Sequence, residues 1–286
     1  MNKIYIMGDI HGDYKPIRSL YYYLKSGYDK HDVPDGSDWI IFLGDFGGNY
    51  FFNYRDDAFK KALGKFPFKY FVIRGNHEER PSNCCNQYPS EWSHDPDVFD
   101  NWGYVEKEYP YITYARDCPA VYIINGYKTL VFPGAYSVDK YYRLANNWSW
   151  FKDEQLTEDE MKNGLSLIKL IGGECDLVLS HTCPIIYEPT DLFLSSIDQN
   201  MVDKTMERYL GQVEYELKYK LWCWGHFHKT RVYPTDSNGA EHLMLFNDSV
   251  LDLGKYFRTK NLYDSLCNFS KVSSEDMVWK PHSMGN

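Results

Sequence analysis

Eight side chains able to hold a metal ion or carry a proton recur in short polar loops along the chain: Asp9 and His11, Asp45, Asn76 and His77, His181, and His226 and His228. A lone aspartate after a strand is ordinarily a turn residue, and a lone histidine ordinarily a satisfied core or surface group. Gathered in one place, the set would offer two carboxylates, one amide oxygen and four or five imidazoles. That mixture of hard and borderline donors suits Mn²⁺, Fe, Zn²⁺ or Ni²⁺ rather than Ca²⁺ or Mg²⁺. Seven ligands are too many for one tetrahedral ion. They suit two ions about 3.5–4 Å apart that share a carboxylate, an arrangement that clamps the attacking and leaving oxygens in phosphoryl transfer.

The neighbouring residues supply elements that could bring these groups together. Lys3 to Met7, Trp39 to Leu43, Tyr70 to Ile73, Leu177 to Leu179 and Leu221 to Trp224 are short apolar runs, each stopping at one of the polar loops. Such runs predict buried strands. Helical stretches are expected at about Lys15–Lys25, Asp56–Leu63, Thr157–Leu170 and Met201–Leu217, the third opening with a capped turn from Thr157 to Glu160. Strands alternating with helices imply βαβ units, which bind ligands beyond the carboxyl ends of their strands. Val121–Ile124, Asn125-Gly126 and Tyr127–Phe132 predict a hairpin with a type I′ turn. Leu243–Phe246 reads as one more strand. Residues 80–116 read as an irregular surface insertion, and the region from about 250 to 286 has no usable periodicity. Without a linker or a repeat of 20 to 50 residues, one domain spanning 1–286 is expected.

The 286 residues include 31 Lys+Arg and 40 Asp+Glu, a formal charge of −9, with 25% charged and 43% hydrophobic residues. This composition excludes disordered and collagen-like classes. The acidic balance argues against duplex nucleic acid as a partner and leaves a phosphorylated small molecule or nucleotide as the expected substrate. No apolar run reaches the roughly 18 residues of a membrane span. Seven scattered cysteines do not suggest a disulfide framework, and a cytoplasmic location is expected.

Gly8-Asp9-Ile10-His11, Gly44-Asp45, Gly75-Asn76-His77-Glu78, Ser180-His181 and Gly225-His226-Phe227-His228 resemble, in order, spacing and residue type, the five motifs of the calcineurin-like metallophosphoesterases. The resemblance implies a four-layer α/β/β/α sandwich of two mixed sheets and two divalent metal ions, Mn²⁺ first among them. It implies that Asp9, His11 and His228 hold one ion, that Asn76, His181 and His226 hold the other, and that Asp45 bridges them. The implied reaction is hydrolysis of a phosphomonoester or phosphodiester by in-line attack of a metal-bridging hydroxide, with His77 as general acid.

Arg74-Gly75-Asn76-His77-Glu78 also resembles the signature of protein serine/threonine phosphatases, in which the arginine contacts phosphate, so Arg74 is a candidate phosphate ligand; the alternative is pairing with Glu78 or Glu79. That subfamily continues its second motif as Gly-Asp-x-x-Asp-Arg-Gly, whereas Phe46-Gly47-Gly48-Asn49 stands here. It also ends on a single histidine, where this chain has two. The broader phosphoesterase group is therefore favoured over a protein phosphatase. A scaffold that keeps the fold without catalysis is the alternative of another class, opposed by retention of the whole ligand set.

Arg143 could reach a substrate phosphate. Tyr136, Tyr141, Trp148 and Trp150 could stack on a ring, although packing of their own loop is the preferred reading. His31, His94, His242 and His282 are expected at the surface. Cys183 is expected to be structural, and Asp13 and Glu78 are expected to bond second-layer groups or cap helices.

Overall fold

The computed structural model describes residues 2–26, 33–85 and 103–269. His31, His94 and His282 lie outside them. Strands β1 (Ile4–Met7), β2 (Trp39–Phe42) and β3 (Lys69–Val72) are parallel neighbours joined through helices α1 (Lys15–Ser26) and α2 (Tyr54–Leu63). Their register brings Met7, Phe42 and Val72 level. The loops that begin with Gly8, Leu43 and Ile73 consequently leave the sheet side by side.

After the short helix α3 (Pro81–Cys84), the chain forms β4 (Tyr104–Val105) and β5 (Ile112–Tyr114), and β5 pairs in parallel with β3. The expected irregular insertion is thus partly sheet. Ile112, Thr113 and Tyr114 are buried, and their bonding partners come from Tyr70 to Val72, a pairing that local patterning does not reveal. Residues 86–102 of that segment lie outside the described ones.

The second sheet starts with the expected hairpin, β6 (Ala120–Ile124) and β7 (Tyr127–Phe132), turned by Asn125 and Gly126 at φ 51° and 83°. Both residues occupy the left-handed region that a type I′ turn requires. Helix α4 (Lys140–Ala145) and helix α5 (Glu158–Leu170) follow. The start of α5 carries a capping box in which Thr157 and Glu160 satisfy each other's backbone N–H. Strand β8 (Leu177–Ser180), helix α6 (Thr205–Glu216), strand β9 (Leu221–Trp224) and strands β10 (Arg231–Val232) and β11 (Glu241–Met244) complete this sheet, with β7, β8, β9 and β11 parallel. Helix α6 is shorter than expected. Asp203 accepts from Thr205 N at 2.9 Å, fixing a turn just before the helix, and the segment ahead of it is a single 3₁₀ turn, Gln199–Met201.

The unassigned C-terminal region returns to the first sheet. Strand β12 (Ser249–Asp252) runs antiparallel beside β1, and after helices α7 (Leu253–Thr259) and α8 (Leu262–Ser265), β13 (Leu266–Asn268) pairs with β12. The sheets have strand orders β13-β12-β1-β2-β3-β5-β4 and β10-β11-β9-β8-β7-β6. Both are mixed.

Three apolar clusters define the layers. Ile4, Ile6, Ile41 and Phe71 of the first sheet meet Tyr122, Val131, Leu179 and Cys223 of the second. On the far face of the first sheet, Tyr5, Ile40 and Tyr70 pack against Ile17 and Leu20 of α1 and Phe59 and Leu63 of α2. On the far face of the second, Val178, Trp222 and Trp224 pack against Ile168 of α5 and Met206, Leu210 and Val213 of α6. The result is the expected four-layer α/β/β/α sandwich. Strands covered on both faces need apolar residues at every position, which explains the continuous runs in the sequence. No helix among the described residues is long and apolar enough to cross a membrane.

Candidate active site

The parallel strands of both sheets end along one edge of the sandwich, where the sheets are stitched together by the candidate residues. His181 Nδ1 bonds Leu43 O at 2.7 Å, and His226 N donates to Asp9 Oδ1 at 3.1 Å. Each bond joins a loop of one sheet to a loop of the other. Four candidates, His11, Asp45, His226 and His228, have φ of 46°, 48°, 69° and 51°. Left-handed backbone is sparsely populated by residues with a side chain and concentrates at functional sites. The preceding glycines make room. A Cβ on Gly44, itself at φ 103°, would lie 2.1 Å from His181 Nδ1, and one on Gly75 would lie 2.1 Å from Asp45 Oδ1.

Asp9, His11, Asp45 and His228 each present a ligand atom within 4.8 Å of the others. His11 Nε2 and His228 Nε2 are 2.9 Å apart, and His228 Nε2 is 3.4 Å from Asp9 Oδ2. Beside this group, His181 Nε2 lies 2.9 Å from Asn76 Oδ1 and 3.5 Å from Asp45 Oδ1, and its ring centroid is 5.0 Å from that of His226. Asp45 therefore faces both groups. His77 donates its backbone N–H to Asp45 Oδ1 at 2.8 Å, and its Nε2 is 3.9 Å from Asp45 Oδ2.

The electrostatics are those of donors converging with too little positive charge among them. Asp9 is fully buried, and its Oδ2 has no hydrogen-bond partner. Burial and then the Asp45 carboxylate push its pKa well up. Burial also pushes Asp45 up, but the imidazoles of His77, His181 and His11 outweigh it and hold this carboxyl below its usual range. Burial lowers His181, His226 and His228. The imidazole lone pairs are thus available at neutral pH. A cation is what such a set lacks: an unpartnered buried carboxylate oxygen and converging imidazole nitrogens fit divalent metal ions.

Three supporting groups escape a sequence reading. Asn76 Nδ2 donates to Ser137 Oγ at 3.0 Å, and Ser137 Oγ donates to Glu154 Oε2 at 2.6 Å, which leaves Asn76 Oδ1 directed at His181. Asp139 accepts from Arg143 Nε at 2.8 Å. Neither Ser137, Glu154 nor Asp139 belongs to a recurring motif; their only signal is their place in the polar stretch between β7 and α5. Glu78, expected in a supporting role, accepts from Gly47 N at 2.7 Å and Gly75 N at 3.3 Å. Burial and the nearby Asp45 raise its pKa to about 8. Asp13 accepts from Lys15 N at 2.9 Å, at the start of α1.

The two arginines separate. Both are buried, Arg74 at 2% and Arg143 at 1% exposure, but the Arg74 guanidinium donates to Glu154 O at 2.7 Å and borders neither cavity at the site. Its Nε and one Nη have no partner, and burial lowers the pKa to about 10. Arg143 comes from α4 and contacts both ring nitrogens of His77. Burial pushes His77 down to about 4, opposed by Asp45 and reinforced by Arg143 and His11.

The expectation that His242 lies at the surface is corrected. This residue is fully buried, with Nε2 2.7 Å from the Tyr219 hydroxyl and its ring 4.1 Å from that of Tyr187. Cys183 is buried in the apolar cluster under α6, as a structural cysteine is. Among the candidate stacking residues, Tyr136 and Trp148 line cavities at the site, whereas the Trp150 ring lies 4.1 Å beneath the Lys140 ammonium and Tyr141 is exposed.

No curated protein matches the sequence. Among solved structures, phosphopantetheinyl hydrolase from Mycobacterium tuberculosis is similar at 15% identity and TM-score 0.44, covering 93% of this chain and 95% of that one. GAP50 of Plasmodium, the anchor in the inner membrane complex, is similar at 13% identity and TM-score 0.43, covering 86% of this chain and 71% of that one. The model of the calcineurin-like phosphoesterase family matches residues 2–230, a span that takes in every strand-end motif, and the chain belongs to that family of phosphoric ester hydrolases.

Proposed function

We propose that the chain is a dinuclear metal-dependent hydrolase of phosphomonoesters or phosphodiesters. Asp9, His11 and His228 would hold one cation and Asn76, His181 and His226 the other, with Asp45 shared between them and Mn²⁺ the leading candidate. The observation that carries this reading is the fully buried, unpartnered Asp9 Oδ2 facing His228 Nε2 at 3.4 Å, beside a second imidazole group joined through Asp45. When bound, the cations would neutralise phosphoryl charge and make water acidic enough to attack phosphorus at neutral pH.

The protein groups divide the remaining work. Ser137 and Glu154 hold the Asn76 amide so that its oxygen faces His181. Arg143, kept in place by Asp139, offers the guanidinium bordering the site to a phosphoryl oxygen. His77 is the general acid. Its ring is neutral in the free protein at pH 7, and an anionic ester bound beside it favours the protonated form, which can deliver a proton to the leaving oxygen. The buried Arg74 weighs against the protein-phosphatase-like alternative, which needs that side chain at the phosphate. A phosphorylated small molecule or nucleotide fits the acidic exterior better than duplex nucleic acid.

The test is elemental analysis of protein reconstituted with Mn²⁺, together with hydrolysis of aryl phosphate esters before and after chelation. Two equivalents of metal and activity lost with the chelator and restored with Mn²⁺ are expected. Metal-independent hydrolysis, or no hydrolysis at two equivalents, overturns the reading.

A further inference from the structure

The candidate ligands open onto two cavities. The first, ≈ 310 Å³, starts at Asp45, Asn76, His226 and His228 and extends beneath the connection between β8 and α6. Leu192, Phe193, Leu194, Ile197 and Val202 from that connection make its wall apolar. Its charged lining is mostly acidic, and its lysine, Lys204, is engaged with Glu188 Oε1 at 2.6 Å and over the Phe193 ring at 4.5 Å. The second cavity, ≈ 210 Å³, starts at His11 and is walled by Tyr50, Phe51, Arg143 and Trp148. His77 and Asp139 border both.

An ester phosphorus held by the candidate ligands would have a cavity on either side of it. A monoester carries one organic group and would leave one of the two unfilled. Resting on the phosphoesterase reading above, we infer that the substrate is a phosphodiester with two uncharged organic groups, an apolar one under the β8–α6 connection and a planar ring beside Tyr50 and Trp148.

Charge points the same way. Arg143 is the arginine bordering either cavity among the described residues, and Asp139 at 2.8 Å already takes part of its charge. In the first cavity, Asp139 and Glu188 are paired with Arg143 and Lys204, which leaves Asp203 to repel a further phosphate on the organic group, while the apolar wall rewards burial of an uncharged one. In the reaction the oxygen of water forms the new P–O bond and the P–O bond to one organic group breaks. One proton of the water goes to the departing oxygen, and the other is released from the monoester product.

The experiment compares bis(p-nitrophenyl) phosphate with p-nitrophenyl phosphate on the Mn²⁺-loaded full chain, alongside Leu194→Asp and Trp148→Ala, one per cavity. Both side chains are more than half exposed, so the fold should tolerate their loss, and thermal unfolding checks this. A kcat/KM about tenfold or more in favour of the diester is expected. Each substitution should raise KM for the diester about tenfold with a smaller change in kcat, as expected when a stacking or apolar wall is lost. Preference for the monoester, or a diester KM moved by only one substitution, overturns the inference and leaves the phosphoesterase reading intact. Hydrolysis of neither ester removes that reading itself.

Discussion

Two groups of carboxylate and imidazole occur in this protein, and they differ in what their lone pairs already do. At the strand ends, Asp9, His11, Asp45 and His228 face one another across 4.8 Å or less. On the helix-covered face of the second sheet, Glu214, Asp236 and His242 lie equally close together. In the second group His242 Nδ1 is buried without a partner, but the carboxylates are bonded: the Tyr219 hydroxyl sits between His242 Nε2 and Glu214 Oε1, at 2.7 and 3.4 Å, and Asp236 Oδ1 accepts from Asn238 N and Ala240 N, both at 2.8 Å. In the first group, Asp9 Oδ2 is buried without a partner, and His11 Nε2 and His228 Nε2 face each other at 2.9 Å. Proximity of the right residue types is common to both. An unpartnered buried carboxylate oxygen, Asp9 Oδ2, distinguishes the site, since leaving such an acceptor unpaired costs about 1–3 kcal/mol unless something else binds there.

The sharpest way to break this contrast is Asp45→Ala set against Glu214→Ala. The first should reduce hydrolysis by about three orders of magnitude or more and lower metal content, because it removes the group facing both halves of the site. The second should leave metal content at the wild-type value. Equal loss of metal from both variants, measured by elemental analysis, would erase the distinction. Next in size, His77→Gln should keep both metals while slowing hydrolysis about 10²-fold, with a larger loss for poor leaving groups than for activated aryl esters. Equal losses on the two ester types would remove the general acid.

A smaller effect is expected from Ser137→Ala. It frees the Asn76 amide to rotate, and metal affinity in a calorimetric titration should fall about 10- to 100-fold, the usual cost of losing an outer partner of a ligand. The gentlest test concerns the second group alone. His242 is buried with its pKa pushed to about 4 by burial, against about 6.5 in an unfolded chain. Between these values the unfolded chain binds a proton that the native protein does not, so stability is fully present above about 6.5 and is lost as pH falls toward 4. Comparing urea midpoints, His242→Phe should remove about 1.4 kcal/mol per pH unit of that slope. An unchanged slope would mean that His242 is not held neutral.

The motifs at the strand ends were readable in the sequence because each couples a local apolar run to the residue that ends it, and the strand register does the rest. The four layers were implied by the family resemblance of those motifs, and the apolar runs agree with strands covered on both faces. What could not be read depends on partners far along the chain. Arg74 and Arg143 look alike as letters, yet Arg74 turns to a carbonyl 80 residues later while Arg143 reaches His77, 66 residues earlier. His242 sits in an unremarkable stretch, and its burial is made acceptable by Tyr219 on the preceding strand's approach. Strand β5 is three residues long and β12, Ser249–Asp252, holds only two apolar residues, so neither announces itself; each is defined by the neighbour it pairs with.

The pairing of β12 with β1 also sets a limit on how the protein can be shortened. All the strand-end motifs lie before residue 229, so a chain cut soon after His228 would retain every candidate ligand. It would also lose the two bonding positions at which Tyr5 and Ile6 face Asp252 and Leu251. Ile4 to Met7, apolar throughout, would then form an open sheet margin, ready to recruit another chain. A minimal version that keeps the chemistry but discards this return strand should be recovered as aggregate, and the roughly 24 residues from Lys229 through Asp252 should restore a monodisperse product.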